Sequence, residues 1–127
     1  VEKRLRSIAA RDGWSVMQDI PQDPGQAGKQ QKVAIGKLLH GYTFTFSPET
    51  GCKENRALPL AAQVEIKNVY LVRGAWNAPF INEASLFPNG TFKDQIDAAT
   101  RAYGCLISKR KRLVGAAPVV VQLVSGG

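Results

Sequence analysis

Acidic side chains at the ends of regular elements carry the clearest chemical potential in this sequence. Asp23 sits in the run PQDPGQAGKQ, residues 21–30, where a strand ends, a stiff turn follows and a helix begins. Open α/β sheets place their ligands beyond the carboxyl ends of strands, so Asp23 stands where a ligand is met. Gly25 and Gly28 permit close backbone approach, and Lys29 lies in the first helical turn, where free amides also attract anions. The run is not a phosphate loop: Asp23 stands where that motif needs its first glycine, and Gln30 where it needs serine or threonine. A turn stiffened by two prolines and bearing a solvated aspartate accounts for the same residues.

The second set is TFKDQIDAATRAYG, residues 91–104. Asp94 and Asp97 are three apart and share a face of a helix, and Arg101 lies four beyond Asp97, within pairing distance. Carboxylates at a helix start are favourable with the helix dipole alone. In the functional alternative Asp94 points at Asp23 and the two help to hold a divalent cation. Magnesium takes one or two carboxylates plus water and phosphate oxygens, so a sparse acid set is sufficient. A third stretch, TGCKENRA at residues 50–57, reads as a polar loop whose Lys53 and Arg56 suit a nucleic-acid backbone or simply solvent. The lone His40 precedes a glycine at a helix end and suits a cap. With one histidine and no nucleophile elbow, a Ser-His-Asp machine has no support. Cys52 and Cys105 form no CxxC pair, which argues against zinc and against a disulfide framework and favours a reducing, intracellular setting.

The elements that must position these groups follow from periodicity. Leu5, Ile8 and Ala9 predict a helix over residues 1–12, stopped by Gly13. Trp14 to Ile20 reads as a strand, which the run 21–26 cannot continue. Ala27 to His40 reads as a helix with Val33, Ala34, Leu38 and Leu39 inward, and Tyr42 to Phe46 as a strand. Glu54 to Lys67 predicts a helix that Pro59 disturbs or delays. Asn68 to Val72 predicts a strand, Asn77 or Ala78 to Phe87 a helix, and Pro88-Asn89-Gly90 a turn. Lys93 to Leu106 predicts a helix with Ile96, Ala99, Ala102 and Tyr103 on one side. Trp14 and Trp76 suit packing better than base stacking. Strands alternating with helices imply an α/β layer with parallel pairing.

The chain has 127 residues, a length suited to one domain with a modest core. Seventeen lysines and arginines against ten acids give a formal charge of +7, which favours polyanionic partners through counterion release. The longest apolar stretch, Leu113 to Val124, is too short to span a membrane and holds Pro118 and Gln122. The basic run SKRKR at residues 108–112 reads as a boundary, with a strand and a loose end after it.

Taken in order, these segments resemble the C-terminal nuclease domain of bacteriophage terminase large subunits. The resemblance rests on PQDPGQAGK, then Thr50, Gly51, Lys53, Arg56, Ala57 and Pro59, then LAAQVEIKNVYLVRGAWNAPFINE at 60–83, then FPNG at 87–90 and the DQxDA run at 94–98. It covers residues 1–106, a partial nuclease domain lacking its first strands, and leaves 107–127 as a basic linker and apolar tail.

The resemblance implies an α/β fold of RNase H-like type, a mixed sheet flanked by helices. It implies a metal-dependent endonuclease that cuts double-stranded DNA during genome packaging in the cytoplasm of a bacterial host. Two Mg2+ or Mn2+ ions would act in the complete domain. Mapped residue by residue, it makes Asp23 and Asp94 metal-holding catalytic acids, Asp97 a further catalytic acid, and Lys29, Lys53, Arg56 and Arg73 DNA contacts. Its implied partners are the missing N-terminal part of the nuclease domain, an ATPase motor domain, the small terminase subunit and the portal. The family's first-strand aspartate has no counterpart here, and Phe92-Lys93-Asp94 stands where the family resembles His-Asp-Asp. Those departures favour a second reading, a non-catalytic prophage remnant or DNA-binding module that keeps the fold. They also lead to the expectation that Trp14 to Ile20 is an exposed sheet edge, met by self-association, a swapped element or the tail segment Val119 to Val124.

Overall fold

The computed structural model describes residues 2–110 and 119–121, with side chains up to Ser108. The element order is α1 (Glu2–Asp12), β1 (Gln18–Gln22), α2 (Gly25–Leu38), β2 (Phe44–Pro48), α3 (Lys53–Glu65), β3 (Val69–Leu71), α4 (Asn77–Leu86), α5 (Asp94–Arg110) and β4 (Val119–Val121). They gather into two compact units, residues 1–50 and 51–127, where length alone suggested a single core. Among the described residues each unit holds a two-stranded parallel pair, β1–β2 in the first and β3–β4 in the second. No described helix is long and apolar enough to cross a membrane.

In the first unit Ala9, Ile20, Ile35 and Leu39 form the buried cluster, with Leu5, Tyr42, Phe44 and Phe46 packed around it. α1 buries the expected side and ends where the Gly13 amide reaches the Ala9 carbonyl at 2.9 Å. α2 turns differently from expectation. Ile35 and Leu39 point inward, four apart, while Val33 and Ala34 face solvent. The apolar run VAI offered two helical faces, and only the one sharing a stripe with Leu39 meets β1 and β2.

β1 runs through Pro21 to Gln22, although the two prolines suggested it would stop at Ile20. It pairs with β2 on one side only among the described residues, with Pro21 opposite Ser47. An edge strand tolerates a residue without an N–H when that position faces away from the ladder. Trp14 does not pack as expected: it is 73% exposed, because the chain turns through residues 14–16 before β1 begins.

In the second unit Leu60, Phe80, Ile96 and Ala99 form the cluster, with Val69, Leu71, Trp76, Phe87 and Tyr103 against it. Pro59 lies inside α3 without ending it. Its side chain is exposed, so the carbonyl left without an amide partner faces water. α5 continues to Arg110, so the boundary expected after Leu106 falls within a helix. The expected basic linker begins inside that helix, and residues 111–118 and 122–127 lie outside the described residues. β4 pairs with β3, Val69 opposite Val119. Residues 119–121 therefore pair within their own unit, the shorter loop to close, and not with the strand expected at 14–20.

Candidate functional site

The first unit carries one of the expected acids. Asp23 follows the last residue of β1 and precedes Pro24, the N-cap of α2, and it is exposed to solvent. Two glycines shape this turn. Gly25 has φ +81°, which a side chain resists, and a Cβ at Gly28 would fall inside the Asp23 backbone carbonyl. The first turns of α2 thus lie directly against Asp23, and only glycine fits there. Lys29 follows, exposed. On β1, Asp19 accepts a hydrogen bond from the Ser47 hydroxyl at 2.8 Å, tying the two strands through side chains.

The second unit carries the others, at the start of α5. Its first turn holds Asp94 and Asp97, and their surroundings differ sharply. The Asp94 side chain is 97% exposed, with Lys53 Nζ at 3.9 Å. The Asp97 side chain is 12% exposed and held at both oxygens: Arg56 Nη2 donates to Oδ1 at 3.0 Å, and Lys53 Nζ lies 3.6 Å from Oδ2. Arg56 also donates from Nη1 to the Gly51 carbonyl at 2.8 Å. The stretch 50–57, which reads as a loop, is helical from Lys53 onward, and this is what turns Lys53 and Arg56 toward α5. Both were expected on DNA; in the structure they face carboxylates of the same unit. Arg73 is exposed just beyond β3. Glu54, in the first turn of α3, is held below the usual carboxylate range by its own backbone amide, helped by Cys52, Lys93 and Arg56.

Glu83 has no role in the sequence-based reading, yet it is the acid most deeply placed here. It lies on α4, 6% exposed. Its Oε1 accepts from the Ile96 amide at 3.0 Å and its Oε2 from Gln95 Nε2 at 2.8 Å. The one sequence signal was its place three residues after buried Phe80, on the inward side of α4. A groove of about 550 Å³ opens beside it, bounded by Asn82 and Leu86 of α4, Thr91 and Phe92 of the turn, and Asp94 and Gln95 of α5.

A divalent cation suits an exposed carboxylate in either unit taken by itself. Magnesium accepts one or two carboxylates and keeps waters, and Asp23 and Asp94 are both exposed oxygen donors. Asp97 does not fit, because cations already face both of its oxygens. Among the described residues no three His, Cys, Asp or Glu side chains gather closely enough to form a metal cluster.

Compared with known proteins, residues 2–104 match the family model of the terminase RNaseH-like domain. No curated protein and no solved structure matches the chain significantly.

Proposed function

Because the chain belongs to the terminase RNase H-like domain family, we propose that it is a nuclease-type domain that cleaves the backbone of double-stranded DNA with the help of divalent metal. The match over residues 2–104 carries this reading. The exposed acid at the end of β1 and the exposed acid at the start of α5 support it. In this account Asp23 of the first unit and Asp94 of the second would each offer a carboxylate to metal, which would supply an activated water and stabilise charge on the leaving oxygen. Asp97 anchors Arg56 and Lys53 instead. Lys29 and Arg73, both exposed, meet the phosphate backbone without reading bases. The partners that fit are duplex DNA, a motor domain, the small terminase subunit and the portal.

The saturated Asp97 favours a second reading, a module that binds duplex DNA and does not cut it. One experiment separates the two. Supercoiled plasmid is incubated with the protein in Mg2+ and in Mn2+, beside Asp23→Asn and Asp94→Asn. The nuclease reading expects nicking or linearisation that each substitution lowers by more than the roughly 10–100-fold that losing an outer partner of a metal ligand costs. DNA binding with no cutting in either metal supports the second reading and sinks the first.

A further inference from the structure

Glu83 is buried and ionisable, and the proposed reaction does not use it. α5 begins at Asp94, and its first amides have no partner within the helix. Helices usually meet that need with a Ser, Thr, Asp or Asn side chain just before the first turn. Here that position is Lys93, which carries donors and no acceptor. The acceptor comes instead from another helix: Glu83 takes the Ile96 amide on one oxygen and the Gln95 side chain on the other. A carboxylate also complements the positive end of a helix, which offsets the cost of burying it. The two residues it grips follow Asp94 directly.

Asp94 needs such a grip. Its side chain is 97% exposed, and the ion pair with Lys53 spans 3.9 Å. An exposed pair of that kind scarcely orients anything. The direction of the Asp94 carboxylate is therefore set by the backbone beneath it. We propose that Glu83 is the positioning residue for Asp94, its carboxylate clamping the first turn of α5 to α4 so that Asp94 is held at the mouth of the groove between them. The inference rests on the reading of Asp94 as a metal-holding acid, and its test is arranged so that the two fail separately.

The 127-residue chain is compared with Glu83→Gln and Glu83→Ala by amide hydrogen exchange at Ile96, by Mn2+ broadening of the amide signals around Asp94 and Asp23, and by kcat and KM on duplex DNA. Gln retains an oxygen for the Ile96 amide, so exchange and kcat should stay within about threefold of the parent. Ala should speed Ile96 exchange at least about tenfold, since an unbonded first-turn amide opens freely. It should also lower kcat at least about tenfold with KM little changed, and weaken the Mn2+ broadening around Asp94. Unchanged Ile96 exchange in the Ala variant overturns the clamp. Equal loss of kcat in Gln and Ala, with Ile96 protection retained in Gln, overturns positioning in favour of a direct role for the charge. If the parent protein neither cuts nor binds Mn2+ at Asp94, the metal reading fails, and Ile96 exchange alone decides the clamp: protection lost in Ala and kept in Gln sustains it. Should Glu83→Ala not fold, Glu83→Asp, one methylene shorter, takes its place with Ile96 exchange expected to rise and an unchanged rate overturning the clamp.

Discussion

Arg56 and Asp97 meet at 3.0 Å, joining the first turn of α3 to the first turn of α5. The side chains are 18% and 12% exposed, and the same guanidinium holds the Gly51 carbonyl ahead of α3. One arginine thereby fixes two helix starts and the residue that leads into one of them. The acid it binds is thereby ion-paired and mostly buried, whereas Asp94, three residues earlier, is 97% exposed.

Breaking this pair should destabilise the fold more than breaking its exposed neighbour. Charge-assisted hydrogen bonds contribute about 1.5–3 kcal/mol, so Asp97→Ala and Arg56→Ala should each lower unfolding free energy by roughly that much. Asp94→Ala, which loses only the long pair with Lys53, should cost under about 1 kcal/mol. Urea denaturation of the three variants measures this. Equal losses at Asp94 and Asp97 would contradict the difference in burial.

Gly28→Ala should be poorly tolerated, because its methyl meets the Asp23 carbonyl. Forcing a methyl into filled space costs about 1–3 kcal/mol, and α2 must move away from Asp23 to admit it. The expected result is a lower melting temperature together with reduced cutting. A variant as stable and as active as the parent would show that the turn has room.

Duplex DNA binding should weaken steeply with salt and be indifferent to sequence, given the +7 charge. Lys29→Ala and Arg73→Ala should each reduce the log–log salt slope by about 1. Lys53→Ala and Arg56→Ala should leave the slope nearly unchanged, since these cations face Asp97. Fluorescence anisotropy on random duplexes at several salt concentrations decides it, and a full unit lost at Lys53 or Arg56 would return them to the DNA surface.

Glu54 predicts a pH effect of known sign. Its carboxyl is held below the ordinary range, chiefly by its own backbone amide at the start of α3. A depressed acid stabilises the fold above its unfolded value, and that contribution disappears as pH falls through the folded value. Glu54→Gln should therefore melt slightly below the parent at neutral pH, with the gap closing in acid. A gap that widens on acidification would reverse the assignment.

Much of the architecture was legible because periodicity and punctuation agreed. Gly13 ended α1, Gly25 and Gly28 shaped the turn at Asp23, and Ile96 and Ala99 marked the inner side of α5. The orientation of α2 was not legible, since Val33, Ala34 and Ile35 are equally apolar and only contact with β1 and β2 chooses among them. The partners of Asp97 were hidden for a related reason. The predicted helix from Glu54 already carries Arg56, but nothing local to it says that its first turn packs against the start of α5. The capping role of Glu83 was hidden because a cap borrowed from another helix leaves no local signature at Lys93, and only the place of Glu83 on the inward side of α4 hinted at it.

The pairing of β3 with β4 bears on the order in which the second unit is made. Val69–Leu71 must wait for Val119–Val121, with α4 and α5 lying between them in the sequence. At a synthesis rate of about 5–20 residues per second, the earlier strand emerges roughly 3–10 seconds before its partner. In that interval α4 and α5 can form from local contacts, while β3 keeps an unsatisfied hydrogen-bonding edge. The nascent chain is then most vulnerable to wrong strand pairing, and a chaperone that shields extended segments would act on it there.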